Sequence, residues 1–324
     1  MVEGVIQYCD SAGLALHTLR PDTKTQARSL VEKWVSETAG RTSRSLLVLA
    51  GSDYESIASN VPALDGDNRT ILLVESERSA MPKGVVTANV DRRGVMYLAG
   101  AMSSRTPAYI LAAMRGNEVA DIAIQAFRDG YEAHDQGYRI EEVKYLSSDE
   151  KGYAMPNAGY EYTAGITDYY WDLGKKTGSD YKSRFILLPM AGSTNTGVYF
   201  YMMQSFSANK TFNAVIGMDV DYNDRLAMAP FSVVIKVNLM LRDCISGWLE
   251  GAVLPAHRTY SFGEGYADVL INSSFDGNSV YAMEQHEFDD GEGGFVYSYD
   301  FLPEDYWSSR YEELKDEAEK YAEK

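Results

Sequence analysis

The sequence is poor in the residues that hold metal ions and build disulfide frameworks. Its 324 residues include two cysteines, Cys9 and Cys244, and four histidines that lie far apart with no ligand-like spacing. Two cysteines are too few for a disulfide framework or a structural zinc site. The sequence therefore predicts no metal centre, and we expect Cys9 to be a buried or half-buried thiol.

Basic residues are also outnumbered. Thirty Lys and Arg stand against 47 Asp and Glu, which gives a formal net charge of −17. Nucleic-acid phosphates and anionic membrane surfaces are bound by basic patches, so the composition argues against both kinds of partner. No apolar run approaches the roughly 20 residues that span a bilayer, and Met1 is not followed by the basic segment that opens a signal peptide.

Common enzyme and cofactor motifs are missing. The segment 191–195 lacks the second glycine of a nucleophile elbow, and the chain has neither a Walker loop nor a Gly-x-Gly-x-x-Gly after a strand, so no cofactor is predicted. The segment 219–223 begins like a calcium loop but lacks the glycine at its sixth position and the glutamate at its twelfth. Asp219 and Asp221 then have two interpretations, as acceptors for ligand hydroxyls or as a polar strand end.

What the sequence does contain is enough apolar material for two domains. The hydrophobic fraction is 45% and the length is 324 residues, which is roughly two domains of about 150 residues each. Apolar runs predict strands at 14–19, 45–50, 70–74, 84–90, 108–113, 140–146, 185–190, 213–218 and 232–237. Periodic patterns predict helices at about 23–37, 95–101, 118–134 and 303–324, and another after residue 237.

The alternation of these elements predicts an α/β protein with two doubly wound lobes. In open parallel sheets, ligands bind at the carboxyl ends of the strands. Ser52, Asp53 and Tyr54 follow one such end and are the candidate ligand-binding residues of the first lobe. The candidates of the second lobe are Asn117, Gly192, Ser193 and Asp219. For Ser52 and Ser193 the alternative role is helix N-capping.

Five segments carry a resemblance to a known family: 94–100, 109–133, 191–198, 216–221 and 232–234. In order and spacing, from about Val2 to Phe275, the chain resembles the basic membrane protein (BMP) family of substrate-binding lipoproteins, which includes bacterial purine nucleoside receptors. The resemblance implies a type I periplasmic-binding-protein fold with a ligand between the lobes. It also implies an extracytoplasmic, lipid-anchored receptor that delivers a small molecule to an ABC permease, without catalysis.

The resemblance also implies a domain division. Residues 1–105 with 230–256 form the expected N-terminal lobe, and residues 106–229 with 257–324 form the C-terminal lobe with an acidic tail. Family members open with a strand and a ligand-binding loop, which we expect to be absent from this chain. The alternative, that Val2–Tyr8 is that strand, leaves only about five residues for the crossover, which is too few. We expect Val2–Tyr8 to be helical and to end at Gly13.

The predicted ligand site departs from the family pattern at two positions. Gly116 aligns where the family has an aspartate, and Ile235 aligns with its lysine. Lys236 comes one residue later, which on a strand turns the side chain to the other face. Asp219 matches the family aspartate that accepts hydrogen bonds from ligand hydroxyls. We therefore expect purine nucleosides to bind weakly or not at all.

The sequence is also compatible with two other functions. One is a sensory or regulatory ligand-binding module of the same fold without transport. The other is a sugar-processing enzyme, which needs paired carboxylates in the cleft; Asp219 with Asp53 or Glu118 would supply them.

Overall fold

The computed structural model describes residues 2–64, 68–135, 137–177, 185–209, 213–223, 225–273, 275, 282–289, 295–301 and 305–323. The chain forms two compact units. Unit 1 consists of Met1–Asp91 and Lys236–Tyr266, and unit 2 consists of Arg92–Ile235 and Ala267–Lys324. The chain therefore passes from one unit to the other three times.

Helices and strands alternate through the described residues. In chain order they are α1 (Val2–Ser11), α2 (Lys24–Thr38), β1 (Ser45–Ala50), α3 (Glu55–Ala58), β2 (Arg69–Val74), β3 (Val85–Val90), α4 (Arg93–Ser103), β4 (Ala108–Met114), α5 (Glu118–Ala133), β5 (Ile140–Ser147), α6 (Pro156–Thr177), β6 (Ile186–Met190), α7 (Asn195–Asn209), β7 (Ala214–Val215), β8 (Gly217–Asp219), β9 (Phe231–Ile235), α8 (Val237–Leu249), β10 (His257–Tyr260), β11 (Ala267–Ile271), β12 (Ala282–Asp289), β13 (Phe295–Phe301) and α9 (Tyr306–Ala322).

Unit 1 contains a parallel sheet in the order β1-β2-β3-β10. All six residues of β3 are buried, as expected for an interior strand of a parallel sheet covered on both faces. Helix α2 packs Ala27 and Val31 against Leu49, Ile71 and Leu73 of β1 and β2. The strands predicted at 45–50, 70–74 and 84–90 are confirmed.

The strand predicted at residues 14–19 is wrong. This segment has no regular secondary structure, and its Leu16 and Leu19 side chains are 40% and 63% exposed. A strand is stable only when a neighbour pairs with its backbone groups. None of the described strands pairs with this segment, so apolar composition alone does not make it a strand.

The first residues of the chain are helical, as predicted. Helix α1 ends at Gly13, which has a φ of 67°, and the Leu14 N–H donates to Cys9 O at 2.9 Å. This is the bonding pattern with which a left-handed glycine closes a helix. Cys9 is buried, and its burial raises the pKa of the thiol. The alternative that Val2–Tyr8 is a central strand is therefore wrong.

Unit 2 contains two sheets, and the chain passes directly from the last strand of one to a strand of the other. One sheet has the order β5-β4-β6-β7 and the other the order β11-β9-β8. Only Ile216 separates β7 from β8, and its N–H donates to Leu187 O of β6 at 2.9 Å. The pairs are parallel except that of β9 with β11. Unit 2 is thus a second doubly wound α/β unit.

Close packing of α4 against α5 is the main helix contact of unit 2. It depends on Gly100 and Gly130, because a Cβ at Gly100 would overlap the backbone oxygen of Phe127, and one at Gly130 that of Tyr97. The two helix backbones therefore approach more closely than larger residues allow.

The boundaries between the units differ from those predicted after residues 105, 229 and 256. The structure divides the chain after Asp91, Ile235 and Tyr266. The reason is the packing of three elements. Helix α4 packs on α5 and α9, β9 pairs with β8 and β11, and β10 pairs with β3 of unit 1.

The C-terminal helix α9 is confirmed in position, but it is more buried than a solvated helix. Its Trp307 and Leu314 side chains are buried, and its Tyr321 ring stacks on Tyr97 of α4 with centroids 4.4 Å apart. The Tyr97 hydroxyl also donates to Glu317 of α9. The acidic end of the chain is therefore an integral layer of unit 2.

Candidate functional site

In unit 1, the predicted residues Ser52, Asp53 and Tyr54 form a 3-10 turn directly after β1. The N-cap of this turn is Gly51, with a φ of 146°, and the Tyr54 N–H donates to Gly51 O at 3.2 Å. Ser52 therefore does not hold the capping position. Ser52 is half-buried, Asp53 is exposed, and Tyr54 packs against the apolar core of unit 1. The Asp53 carboxylate is the most accessible group of this turn.

The loop after β2 carries polar residues that sequence reasoning missed. Glu75 has a φ of 63°, in the left-handed region that non-glycine residues seldom adopt. Ser76 is buried and donates to Glu55 Oε2 at 3.0 Å, and Arg78 Nε lies 2.5 Å from Glu55 Oε1. Glu55 thus fastens this loop to helix α3.

A side-chain network joins the same loop to β3 and β10. Asn89 on β3 is 1% exposed and donates from Nδ2 to Glu77 Oε1. Thr87, on the same face of β3, donates to Arg78 O at 2.6 Å and lies 2.7 Å from His257 Nδ1. Thr87 and His257 are register partners in the β3–β10 ladder. The network therefore brings together three segments that are distant in sequence.

In unit 2, Asn117 is the N-cap of α5. Its Oδ1 accepts the Ala120 N–H at 3.0 Å, which satisfies one of the free amides at the start of the helix. Gly116 has a φ of 76°, and its N–H donates to Asp121 Oδ2 at 3.0 Å. The structure therefore gives Asn117 a capping role that sequence reasoning did not weigh.

Gly192 and Ser193 follow β6 in another 3-10 turn. The Ser193 hydroxyl donates to Tyr153 O at 2.6 Å, so it ties two loops together instead of capping a helix. The next residue, Thr194, is fully buried, donates to Gly152 O at 2.7 Å and accepts the Met155 N–H at 2.7 Å. Both hydroxyls fix the backbone of the loop before α6.

Asp219 and Asp221 have different environments. Asp219 ends β8, is exposed, and has a φ of 71°; a non-glycine residue in this region costs on the order of 1 kcal/mol. Burial and then the Asp219 charge raise the pKa of Tyr222. Asp221 Oδ1 accepts the Asn223 N–H at 2.9 Å, which is a local turn. Of the two acidic residues, Asp219 is the one held in a strained conformation.

One cationic group at this edge of unit 2 was not among the residues predicted from the sequence. Arg115 directly follows β4 and is exposed, and its guanidinium lies 4.6 Å from the ring centroid of Tyr145 on β5. This cation–π contact restrains a long flexible side chain. No sequence motif marks it, because the contact depends on the pairing of β4 with β5.

In each unit, the predicted ligand-binding residues lie at the carboxyl edge of the sheet. Ser52, Asp53 and Tyr54 lie at this edge of unit 1. In unit 2 the strands β4 and β6 are parallel neighbours, and β8 continues the next strand, β7. The four residues that follow or end these strands are Asn117, Gly192, Ser193 and Asp219. Among the described residues, no group of three His, Cys, Asp or Glu side chains is arranged to hold a metal ion.

Comparison with known proteins identifies the architecture. No protein-family model matches the sequence, and a search of curated proteins found no match. Solved structures do match. A solute-binding protein of an ABC transporter system from Aeropyrum pernix K1 is 13% identical, with a TM-score of 0.63 over 99% of this chain and 85% of that one. The chain has a type I periplasmic-binding-protein fold.

Other proteins with this likeness have different described roles. A transcriptional activator of the comK gene from Bacillus halodurans has a TM-score of 0.63 at 13% identity, over 99% of this chain and 92% of that one. A sugar transporter from Clostridium phytofermentans has a TM-score of 0.54 at 13% identity, over 83% of this chain and 92% of that one. At such identities the likeness establishes the type I periplasmic binding fold only. The ligand has to be inferred from the residues of this chain.

Proposed function

We propose that the chain is the extracytoplasmic substrate-binding protein of an ABC-type importer and binds a small polar ligand without catalysis. The observation that carries this proposal is the concentration of polar groups at the carboxyl edge of the sheet in both units. In doubly wound sheets this edge is where ligands bind. The likeness to an ABC solute-binding protein supports the same role.

The proposed ligand-binding residues are Ser52, Asp53, Tyr54, Asn117, Gly192, Ser193 and Asp219. Among them, the carboxylates of Asp53 and Asp219 suit the role best, because both side chains are exposed. Carboxylates accept charge-assisted hydrogen bonds from ligand hydroxyls.

We further propose that the chain belongs to the BMP family, that it carries a lipid anchor, and that its membrane partner is an ABC permease. This proposal rests on the sequence segments that resemble that family. None of the helices in the described residues has the length and apolar character needed to cross a membrane.

Purine nucleosides are expected to bind weakly or not at all, and strong thermal stabilisation by inosine or guanosine would contradict this.

A sensory or regulatory role without transport is the second candidate. The observation in its favour is the likeness to the comK activator, which has the same TM-score as the ABC solute-binding protein. Gene neighbours separate the two: adjacent permease and ATPase genes favour import. A sugar-processing activity would appear as turnover of nucleosides at an enzyme-like rate.

The first experiment is native mass spectrometry of the purified chain, to identify a co-purified compound, followed by titration calorimetry with that compound. Asp219→Asn is expected to weaken its binding about tenfold or more, because a charge-assisted hydrogen bond contributes about 1.5–3 kcal/mol. Asp221→Asn is the matched control, because an asparagine oxygen can still accept the Asn223 N–H. Equal affinity in both variants would contradict a ligand contact by Asp219.

A further inference from the structure

We propose that Asn68 of unit 1 is the acceptor of an N-linked glycan. The inference rests on the extracytoplasmic location proposed above and adds a covalent modification to it. The sequence contains three Asn-x-Ser/Thr acceptor motifs, at 68–70, 209–211 and 272–274. The motif alone does not select a site, because the acceptor asparagine must lie where the folded chain tolerates a bulky polar group.

Asn68 meets this requirement. It is exposed and lies in the turn directly before β2. Its Nδ2 donates to Thr42 O at 3.2 Å, at the long end of the hydrogen-bond range, and residues 39–44 are exposed as well. A side-chain amide has two N–H groups. A glycan on Nδ2 therefore leaves one N–H for Thr42 and extends into solvent.

The motif at 272–274 fails the same requirement. Asn272 is 3% exposed, and its Nδ2 donates to Ala229 O at 2.8 Å. A sugar on this nitrogen would have to enter the interior of unit 2, or the amide would have to leave a buried carbonyl without this donor. The side chain of Asn209 lies outside the described residues. Of the two acceptor asparagines with described side chains, Asn68 is the one that the fold accommodates.

The hydroxyl of the motif is engaged only after a distant segment has been made. In the folded chain, Thr70 Oγ1 accepts a hydrogen bond from Trp248 Nε1 at 3.1 Å, across 178 positions of sequence. Trp248 belongs to α8, which is synthesised long after β2. The motif at 68–70 is therefore available for modification before Trp248 can bond to it.

A glycan on Asn68 would also leave the proposed ligand-binding residues accessible. Asn68 precedes β2, whereas residues 52–54 follow β1, and the two strands are parallel with Ser45 opposite Arg69. Asn68 thus lies at the amino edge of the sheet, and ligands bind at the carboxyl edge.

The modification is the transfer of an oligosaccharide from a lipid phosphate carrier by a membrane oligosaccharyltransferase. Asn68 Nδ2 forms a bond to the anomeric carbon of the first sugar and loses one proton. The bond from that carbon to the phosphate oxygen of the carrier breaks, and the phosphate keeps the electron pair and takes the proton. The transfer needs no oxidant or reductant.

The test is peptide mass spectrometry of the chain purified from the extracytoplasmic fraction of its native cells. Trypsin releases residues 45–69 as one peptide, which contains both Asn60 and Asn68. We expect fragment ions with sugar residues on Asn68, and unmodified Asn60 and Asn272. An extracytoplasmic chain with unmodified Asn68 would overturn the glycan and leave the location intact. Recovery of the chain from the cytoplasmic fraction would overturn both. Sugar on Asn272 would overturn the argument from burial.

Asn60 is a matched control within the same peptide. It is exposed, and its Nδ2 donates to a backbone oxygen, that of Ser56, at 2.7 Å. Pro62 stands where the acceptor motif needs Ser or Thr. Sugar on Asn60 would show that the motif does not direct the modification, and would contradict the proposal.

Three variants expressed in the native cells separate the acceptor from the fold. Asn68→Gln should lose the glycan and migrate faster in gel electrophoresis, with an unchanged unfolding temperature. Thr70→Ser keeps a hydroxyl for both the motif and Trp248, so it should retain the glycan. Asn60→Gln should migrate like the wild type. Equal migration of Asn68→Gln and the wild type would overturn the assignment of the glycan to Asn68.

Discussion

The two units hold the carboxyl edges of their sheets in different ways. In unit 1, side chains of β3, of β10 and of the loop after β2 bond to one another, as in the pair of Asn89 with Glu77. In unit 2, side chains bond to the backbone of the adjoining loops, as Ser193 and Thr194 do with Tyr153 O and Gly152 O. Unit 1 thus joins its loop to the sheet through pairs of side chains, while unit 2 fixes the shape of its loops. Asp219 is left at the unit 2 edge in a strained conformation.

Alkaline pH should produce the largest difference between the units, because buried tyrosines are concentrated in unit 2. Burial raises the pKa of Tyr260 in unit 1 and, to about 12, that of Tyr266. In unit 2 burial likewise raises the pKa of Tyr97, Tyr131, Tyr162, Tyr170, Tyr199 and Tyr311.

The sign of this pH dependence follows from proton binding. An unfolded tyrosine ionises near pH 10, so above that pH the unfolded chain binds fewer protons than the folded one. The stabilisation is complete below about pH 10 and is lost as the pH rises through the folded values. We expect unit 2 to unfold first between about pH 10 and 12. Fluorescence of single-tryptophan variants that retain Trp248 in unit 1 or Trp307 in unit 2 measures this. Earlier loss of the Trp248 signal would reverse the comparison.

A more local way to weaken unit 2 is Gly130→Ala in α5. The added Cβ would overlap the backbone of Tyr97, which cannot move without displacing α4. We expect a loss of about 3 kcal/mol in the free energy of unfolding, measured with urea. Gly165→Ala in α6 is the control, since nothing lies within 4 Å of its added Cβ. It should gain about 0.5–1 kcal/mol from helix propensity, and a loss there of the same size would contradict the packing argument.

The smallest expected effect comes from removing the hydrogen bonds that hold the loop before α6 in unit 2. Thr194→Val keeps the side-chain shape but removes the hydroxyl that bonds Gly152 O and the Met155 N–H. Leaving these buried backbone groups unpaired should cost about 1–3 kcal/mol in urea unfolding. Thr196→Val, at an exposed position, should stay within about 0.5 kcal/mol of the wild type. Similar stability in the two variants would show that the loop is not held by Thr194.

The architecture was predictable because continuous apolar runs such as Leu46–Leu49 and Leu72–Val74 are typical of strands buried on both faces. The segment 14–19 has a similar composition and forms no strand, since pairing depends on a neighbour that composition cannot reveal. The boundary after Asp91 was missed for a related reason. The burial of α4 against α5 depends on Gly100 and Gly130, which no periodicity marks.

The candidate site was predictable only at the level of strand ends. Asp53 and Asp219 follow or end apolar runs, so their place at a carboxyl edge follows from the order of elements. His257 and Thr87 are 170 residues apart in sequence and meet only through the β3–β10 ladder. The one visible signal was Asn89, a polar residue inside the apolar strand Val85–Val90.

The three crossings between the units have a consequence for biosynthesis. Strand β10 is the last of the unit 1 sheet to be made, and it leaves the ribosome after most of unit 2. Until then the backbone groups along one edge of β3 have no partner strand, and unpaired strand edges are prone to aggregation. This edge of β3 therefore stays without its partner strand while about 165 further residues, between Val90 and His257, are synthesised.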